Sequence, residues 1–130
     1  MTQEEKQLLL KDLCARLPYG VMFDRLGHPK KILAICPNAV FPIQCDNGEY
    51  VASTYTPEDG KPYLRPMSSM TEDERDEAKK HMKREQIVNV AFYHATEKTY
   101  DWYNANHFDY RHLIEKGLAL EAPEGMYKTE

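Results

Sequence analysis

The spacing of apolar and polar positions divides the chain into a helical start, a strand-rich middle and a mainly helical second half. Within residues 1–17 the apolar side chains recur at helical spacing. They are Leu9, Leu10, Leu13 and Leu17. Thr2, followed three residues later by Glu5, has the spacing of a capping box, and Pro18 ends the pattern. We predict an amphipathic helix whose leucine face packs on the core.

Residues 20–56 consist of short apolar runs separated by turn residues, a pattern typical of antiparallel strands. The runs are residues 21–23, 31–35, 40–43 and 50–55. Asn47-Gly48 is the strongest hairpin signal in the chain. Pro42 cannot donate a hydrogen bond to a neighbouring strand, so its own strand should lie at an edge or contain a bulge. The pattern predicts a four-stranded antiparallel sheet or a small, partly closed barrel.

A turn-rich linker is predicted at residues 57–70, followed by a helical part at residues 71–118. Thr71 and Glu74 form a second capping box, which starts a helix. Acidic residues occupy its first turns and lysines follow, as the helix dipole favours. Because few of its positions are apolar, this helix is predicted to be mostly solvated.

The apolar run at residues 87–93 fits either a strand or a helix, because short β-branched runs do not decide the question by their period. We favour a buried continuation of the preceding helix. A further helix is predicted from residue 96 to about 106, and Asp109 is predicted to cap a short last helix that ends at Gly117. Residues 121–130 form a tail that we expect to fray.

These segments together predict an α+β fold in a single domain spanning residues 1–130. An N-terminal helix packs on the four-stranded sheet or barrel, and two or three C-terminal helices follow. The length of 130 residues and the hydrophobic content of 42% are sufficient for one core.

The charge of the chain narrows the classes of partner. A formal charge of −4 argues against a general binder of nucleic acid or anionic membranes, since both require a basic surface. The longest uncharged run, residues 32–45, contains two prolines and is shorter than the roughly 20 residues of a spanning helix. We therefore expect no association with a membrane.

The cysteines predict a reducing compartment. Cys14, Cys36 and Cys45 are odd in number and contain no Cys-x-x-Cys pair, and the N-terminal residues lack the apolar segment of a secretory signal. A cytoplasmic location is expected. Nothing in the sequence pairs a cysteine with a histidine as a nucleophile and base, so we expect inert, buried thiols.

One cluster carries ligand-type side chains, namely His107, Asp109 and His112. It could contribute to a metal site or supply a hydrolase base, but a closed zinc site requires four ligands, and Asp109 is already explained as a helix cap. The glycines are scattered singly, so a phosphate-binding loop is not indicated. The sequence predicts no metal, no cofactor and no catalytic residue.

Half of the fourteen aromatic residues lie between residues 92 and 110. They could pack as core, stack on single-stranded bases or contact a protein. Acidic residues outnumber basic ones in this segment, which favours a protein over nucleic acid. The candidate binding residues are Trp102, Tyr103 and Tyr110 together with Arg65 and Arg111. The two arginines are included because a guanidinium among aromatic rings can bind a carboxylate or phosphate bidentately.

Three segments carry a family resemblance: residues 11–21 (KDLCARLPYGV), 61–71 (KPYLRPMSSMT) and 108–120 (FDYRHLIEKGLAL). In these segments the chain resembles a family of small uncharacterised proteins found in Bacteroides phages, prophages and mobile elements. The resemblance implies a mobile-element origin and a cytoplasmic location in a bacterial host. It implies no activity, substrate or catalytic residue.

The function hypothesis is therefore an accessory protein that acts by non-enzymatic binding of a macromolecule. The expected partner is a protein, for example a component of a host defence complex, and the chain itself is expected to be a monomer or a homodimer. The alternatives are a nucleic-acid-binding accessory protein and a small metal- or cysteine-dependent hydrolase.

Overall fold

The computed structural model describes residues 1–36, 43–46 and 52–127 and has a mixed α+β fold, as the sequence predicts. The helices within these ranges are α1 (Gln3–Arg16), α2 (Glu72–Lys80) and α3 (Glu97–Ala105). The strands are β1 (Met22–Arg25), β2 (His28–Ile35), β3 (Ile43–Asp46), β4 (Ala52–Tyr55), β5 (Lys61–Leu64), β6 (Lys83–Ile87), β7 (Val90–His94) and β8 (Leu120–Glu121).

Helix α1 begins and ends as its sequence predicts. The Glu5 N–H donates to Thr2 Oγ1 at 3.1 Å, and the Thr2 N–H donates to the Glu5 carboxylate at 2.8 Å, which completes the capping box. Leu9 and Leu13 are fully buried on its inner face. A 3₁₀ turn, Leu17–Tyr19, closes the helix and leads into the sheet. The leucine stripe therefore anchors α1 to the core.

Within the described residues the main sheet has six strands in the order β4-β3-β2-β1-β5-β8, and of these strand pairs only β5–β8 is parallel. The prediction of four strands is therefore too low. Strand β5 lies inside the predicted linker, where Pro62 and Leu64 alternate as buried residues with half-buried neighbours. That period of two is the signature of a half-buried strand, and the prolines on either side of it hid the pattern.

The hairpin predicted around Asn47-Gly48 agrees with the pairing of the two strands on either side of it. Strands β3 and β4 are antiparallel, with Ile43 opposite Tyr55. The turn predicted at Asn47-Gly48 and the position of Pro42 lie outside the described residues. The pairing of β2 with β3 shifts register between Ile32 and Ala34.

Gly60 fixes the approach of the chain to β1. A Cβ atom at this position would lie 1.7 Å from the backbone oxygen of Asp24, so no other residue fits without moving the backbone. The residue after it begins β5, which pairs with β1 through Asp24 and Lys61.

Two hydrophobic clusters form the interior of the described structure. The larger one joins α1, the main sheet and the segment before β8, and its members are Leu9, Leu13, Val21, Phe23, Ile32, Ile43, Cys45, Leu64, Leu113, Leu118 and Ala119. The smaller one joins α2, α3 and the following segment, and its buried members are Met70, Ala78, Tyr103 and Phe108.

Residues 83–94 form a separate two-stranded antiparallel sheet and not the buried helix continuation that we favoured. Arg84 lies opposite Tyr93 and Ile87 opposite Val90. Helix α2 ends at Lys80, and the β-branched residues that follow favour extended backbone. Every residue of β6 and β7 is exposed, so the predicted burial of this segment is also wrong.

The predicted last helix is absent from the described residues after α3. The C-terminal half of the described chain therefore contains two α-helices, α2 and α3. The Asp109 carboxylate accepts the N–H groups of Leu113 and Ile114 at 2.8 and 2.9 Å, much as a cap would. His112, however, has a φ of 60°, which interrupts the right-handed helix, and successive turns replace it. The expected tail is ordered as far as it is described, since β8 pairs with β5 and Tyr127 packs on His107.

No helix in the described part of the chain is long and apolar enough to cross a membrane.

Candidate functional site

Most of the aromatic residues predicted as a binding site form the smaller core. Trp102 stacks on Phe108 with ring centroids 5.6 Å apart, and Tyr103 stacks on Tyr110 at 5.7 Å. Phe108 is fully buried, Tyr103 is 7% exposed, and Trp102 and Tyr110 are partly buried against them. Tyr100 is the outer ring, 44% exposed and 5.1 Å from Tyr110. The principal role of these rings is to pack α3 onto the rest of the fold.

Arg65 binds a carboxylate bidentately, and that carboxylate belongs to Glu74 of the same chain. Both nitrogen–oxygen distances are 2.8 Å, and the guanidinium lies over the Phe108 ring at 4.1 Å. The ion pair lowers the pKa of Glu74. The backbone of Arg65 also bonds to both neighbours of Phe108, donating to His107 O and accepting from the Asp109 N–H. Arg65 thus joins the linker region to α2 and to the segment after α3.

Arg111 and Arg16 share the carboxylate of Asp12. Arg16 donates through Nε at 2.7 Å and through Nη2 at 3.1 Å, and Arg111 donates through Nη1 at 2.9 Å. Arg16 and Asp12 are fully buried, and Arg16 Nη2 also donates to the Phe108 carbonyl at 2.6 Å. Both guanidinium groups lie against the Tyr110 ring. The network links residues 11–21 to residues 108–120 as a structural joint.

The residues His107, Asp109 and His112 do not form a metal site. The carboxylate of Asp109 is bonded to backbone N–H groups, while His112 is exposed and His107 is buried. Across residues 1–36, 43–46 and 52–127, no three His, Cys, Asp or Glu side chains are grouped so that they could hold a metal ion.

His107 stacks on Tyr127, with ring centroids 3.6 Å apart and an angle of 14° between the rings. Burial and the nearby charges of Arg16 and Arg65 lower its pKa to about 4, so the ring is neutral at physiological pH. Its Nδ1 atom is buried without a hydrogen-bond partner. The sequence did not single out Tyr127, whose hydroxyl accepts from the Met22 N–H at 2.8 Å and donates to Tyr63 O at 2.7 Å.

The cysteines differ from their predicted environments. Cys45 is buried, and that burial raises its pKa to about 11, as expected for an inert thiol. Cys14 and Cys36 are exposed, contrary to the prediction. Cys14 follows Leu13 in α1, and one helical step of 100° turns it away from the buried stripe.

A groove of about 640 Å³ separates the Arg65–Glu74 pair from the C-terminal segment. Its described lining includes the carboxylates of Glu121 and Glu124 and the hydroxyl of Ser69. That hydroxyl donates to the Pro66 carbonyl at 2.6 Å, and no histidine, cysteine or lysine is present among the described lining residues. The groove therefore lacks the paired nucleophile and base that covalent catalysis requires.

The most unusual surface is the hairpin formed by β6 and β7. In an antiparallel pair, residues directly opposite each other point to the same side. Ile87, Val90 and Phe92 therefore share one side, on which they are 52%, 54% and 45% exposed. Val88, in the turn, is 85% exposed. We call these four residues the tip surface.

The opposite side of the hairpin is polar and faces α2. It carries Arg84 and Tyr93, and Lys79 of α2 lies over the Tyr93 ring at 5.1 Å. The base of the hairpin is fixed because the hydroxyls of Thr96 and Thr99 both donate to His81 O at 2.6 Å. The hairpin is therefore held at its base, and its tip projects an apolar surface into solvent.

The sequence offered one signal for this surface, the β-branched run at residues 87–93, but it lacked a turn signal. The turn contains no glycine, and Val88 has a φ of 56°, a conformation that β-branched residues rarely adopt. An unfavourable turn residue is what concealed the hairpin.

Comparison of the chain with models of known protein families, with characterised proteins and with solved structures finds no match.

Proposed function

We propose that the protein acts by non-enzymatic binding of a macromolecule and that a protein partner docks on the tip surface. The observation that supports this proposal is the exposure of Ile87, Val88, Val90 and Phe92, between 45% and 85% of each residue, on one projecting element. Apolar side chains grouped in this way are typical of surfaces that bind proteins. A folding role does not explain them, because none belongs to either hydrophobic cluster.

The chemistry of the tip surface favours a protein over a small ligand. Small-molecule sites are concave and enclose most of their ligand, whereas this surface projects outward. Phe92 supplies the aromatic anchor that dominates many protein interfaces. The polar side chain of Glu85 lies directly opposite it, and His94, which pairs with Glu85, lies nearer the base of the hairpin.

We propose a bacterial cytoplasmic setting and a host protein, such as a component of a defence complex, as the partner. This part of the proposal rests on the resemblance of residues 11–21, 61–71 and 108–120 to proteins of Bacteroides phages and mobile elements. The segments that carry this resemblance lie away from the tip surface.

The test is affinity capture from phage-infected Bacteroides lysate treated with nuclease. It compares the natural chain with a variant carrying Ile87→Asp and Val88→Asp, which place charges on the tip without changing β7. Leu33→Asp is the matched control, because Leu33 is 48% exposed on β2 of the main sheet. We expect a protein that the natural chain and the control retain and the tip variant loses. Retention of the same protein by all three would contradict the proposal.

A second candidate is binding of single-stranded nucleic acid, and one observation favours it. Lys79 and Arg84 both lie on the side of the hairpin that exposes Tyr93, so cations and an aromatic ring are adjacent. Binding of this kind weakens steeply with salt. A gel shift with a single-stranded oligonucleotide that responds to salt and is lost in Arg84→Ala would support it. An oligonucleotide that does not shift at low salt would exclude it.

A further inference from the structure

We infer that strand β7 pairs in antiparallel fashion with β7 of a second copy of this chain, which makes the protein a homodimer with a continuous four-stranded sheet. This inference concerns the backbone edge of β7, whereas the proposed partner docks on the side chains of the tip surface. Val90 and Phe92 belong to both, so the two proposals are tested with variants at other positions.

The two edges of the hairpin differ in how they discourage pairing. Proteins protect exposed strand edges with charged residues, prolines or bulges. Strand β6 carries Lys83, Arg84 and Glu85, whereas β7 contains only Val, Ala, Phe, Tyr and His. The pairing of β6 with β7 is regular through all five positions, so no bulge twists this edge away. The edge of β7 is therefore the unprotected one.

The hairpin also needs further strands. An isolated two-stranded sheet is marginally stable in water, and three or more strands are usually required. Strands β6 and β7 pair only with each other among the described strands, and all their residues are exposed. Pairing two hairpins through β7 gives a sheet of four strands. It also satisfies the unpaired backbone N–H and C=O groups of the two β7 edges.

The side chains of β7 fit a two-fold axis at its central residue. With full overlap, Phe92 lies opposite its symmetry mate, Ala91 opposite Tyr93, and Val90 opposite His94. No fixed charges oppose each other, and the two phenylalanines form a cross-strand aromatic pair. The same arrangement of β6 would place two Glu85 carboxylates together. Because pairing of β7 with itself sets no like charges against each other and pairing of β6 with itself does, the partner that fits β7 is a second β7.

The symmetry of this pairing closes the assembly. When β7 pairs with β7, each copy uses the same edge, so association stops at the dimer. Pairing of β6 with β7 would leave one free edge on each side and continue into a chain. In the dimer both tip surfaces lie on the same side of the sheet, because opposite residues point the same way.

The experiment measures oligomeric state by sedimentation velocity over a range of concentrations. One variant carries Ala91→Lys and Tyr93→Lys, which oppose each other across the two-fold axis, and a second carries Ala91→Glu and Tyr93→Glu. We expect the natural chain to dimerise and each variant to dimerise at least about tenfold more weakly. An equimolar mixture of the two variants should restore the dimer, which misfolded proteins would not do. Leu33→Lys is the control and should dimerise like the natural chain.

A natural chain that remains monomeric at about 100 μM would overturn the inference, because this concentration lies far above the dissociation constants typical of specific protein complexes. A natural dimer that both charged variants retain would also overturn it, because the interface would then lie elsewhere. Either result leaves the proposed function standing, since capture is tested with variants of Ile87 and Val88, which lie outside β7.

Discussion

The buried carboxylate of Asp12 is the shared acceptor of a network of charged side chains. Two guanidinium groups, those of Arg16 and Arg111, donate to its carboxylate, and Arg16 is itself fully buried. Removing one partner from a buried ion pair leaves the other charge without compensation, which costs more than the pair contributes. The network therefore constrains substitution at its members more than it stabilises the fold.

We predict that Asp12→Leu lowers the free energy of unfolding by about 3–5 kcal/mol, because the Arg16 guanidinium is left buried without its carboxylate. Adding Arg16→Met to the same chain should recover part of that loss. Urea unfolding at pH 7 measures both changes. A double variant less stable than the single one would show that Arg16 stabilises the fold without Asp12.

His107 makes stability depend on pH in a defined window. Its pKa falls from 6.5 in an exposed ring to about 4 in the fold. The folded chain therefore binds fewer protons than the unfolded chain between these values, and the contribution of the neutral ring is complete above pH 6.5 and is lost as the pH falls to 4. At about 1.4 kcal/mol per unit of pKa, the loss is about 3 kcal/mol.

The matching prediction uses His107→Phe, which keeps a ring against Tyr127 but cannot take up a proton. Urea midpoints measured from pH 7 to pH 4 should fall less for this variant than for the natural chain. The control is His112→Gln, since His112 is exposed, and its profile should follow that of the natural chain. Equal slopes for His107→Phe and the natural chain would contradict the prediction.

For single side chains, the sequence predicts the type of interaction better than it predicts which residue is the interaction partner. The sequence predicts that Arg65, as a candidate binding residue, pairs with a carboxylate or a phosphate. In the structure its guanidinium pairs with Glu74 of the same chain, and the spacing of the two residues gives no sign of that contact. Tyr127 lay in a segment predicted to fray, because a hydroxyl shared between Met22 and Tyr63 depends on contacts distant in sequence.

Among the elements, the hairpin and the helices show which local signals are decisive. Both predicted capping boxes form, at Thr2 and at Thr71, because their hydrogen bonds lie within four residues. The run at residues 87–93 forms the turn and most of the second strand of a hairpin, because α2 ends at Lys80, a boundary marked by neither glycine nor proline. The last predicted helix failed at His112, whose positive φ has no residue-type signal.

The turn of the hairpin contains a strained residue whose replacement should stabilise both strands. Val88 has a φ of 56°, which costs a β-branched residue on the order of 1 kcal/mol or more, and glycine removes that strain. We predict that Val88→Gly slows amide hydrogen exchange in β6 and β7 by roughly fivefold. Ile87→Gly, at the end of a strand, should accelerate it. Faster exchange in Val88→Gly would mean that the turn is not strained.

The whole molecule consists of a packed body and a projecting hairpin. The body contains both hydrophobic clusters, and the hairpin contributes no residue to the buried part of either. The sequence predicted the α+β class, the N-terminal helix and the antiparallel pairing. It missed β5 and β8, since β8 has two residues and pairs in parallel across a long separation along the chain.

We propose that the body provides the stability of the fold and that the hairpin provides its association with partners. The contacts of Thr96 and Thr99 with His81 hold the ends of the hairpin together independently of its strands. Removing the strands should therefore leave the junction between α2 and α3 intact.

The most direct measurement is thermal unfolding, followed by near-ultraviolet circular dichroism, of a chain in which residues 83–94 are replaced by a short Gly-Ser linker. We expect a cooperative transition within a few degrees of the natural chain and an unchanged Trp102 signal, because the body retains both clusters. Loss of the transition, or of the Trp102 signal, would show instead that the hairpin is part of the stable fold.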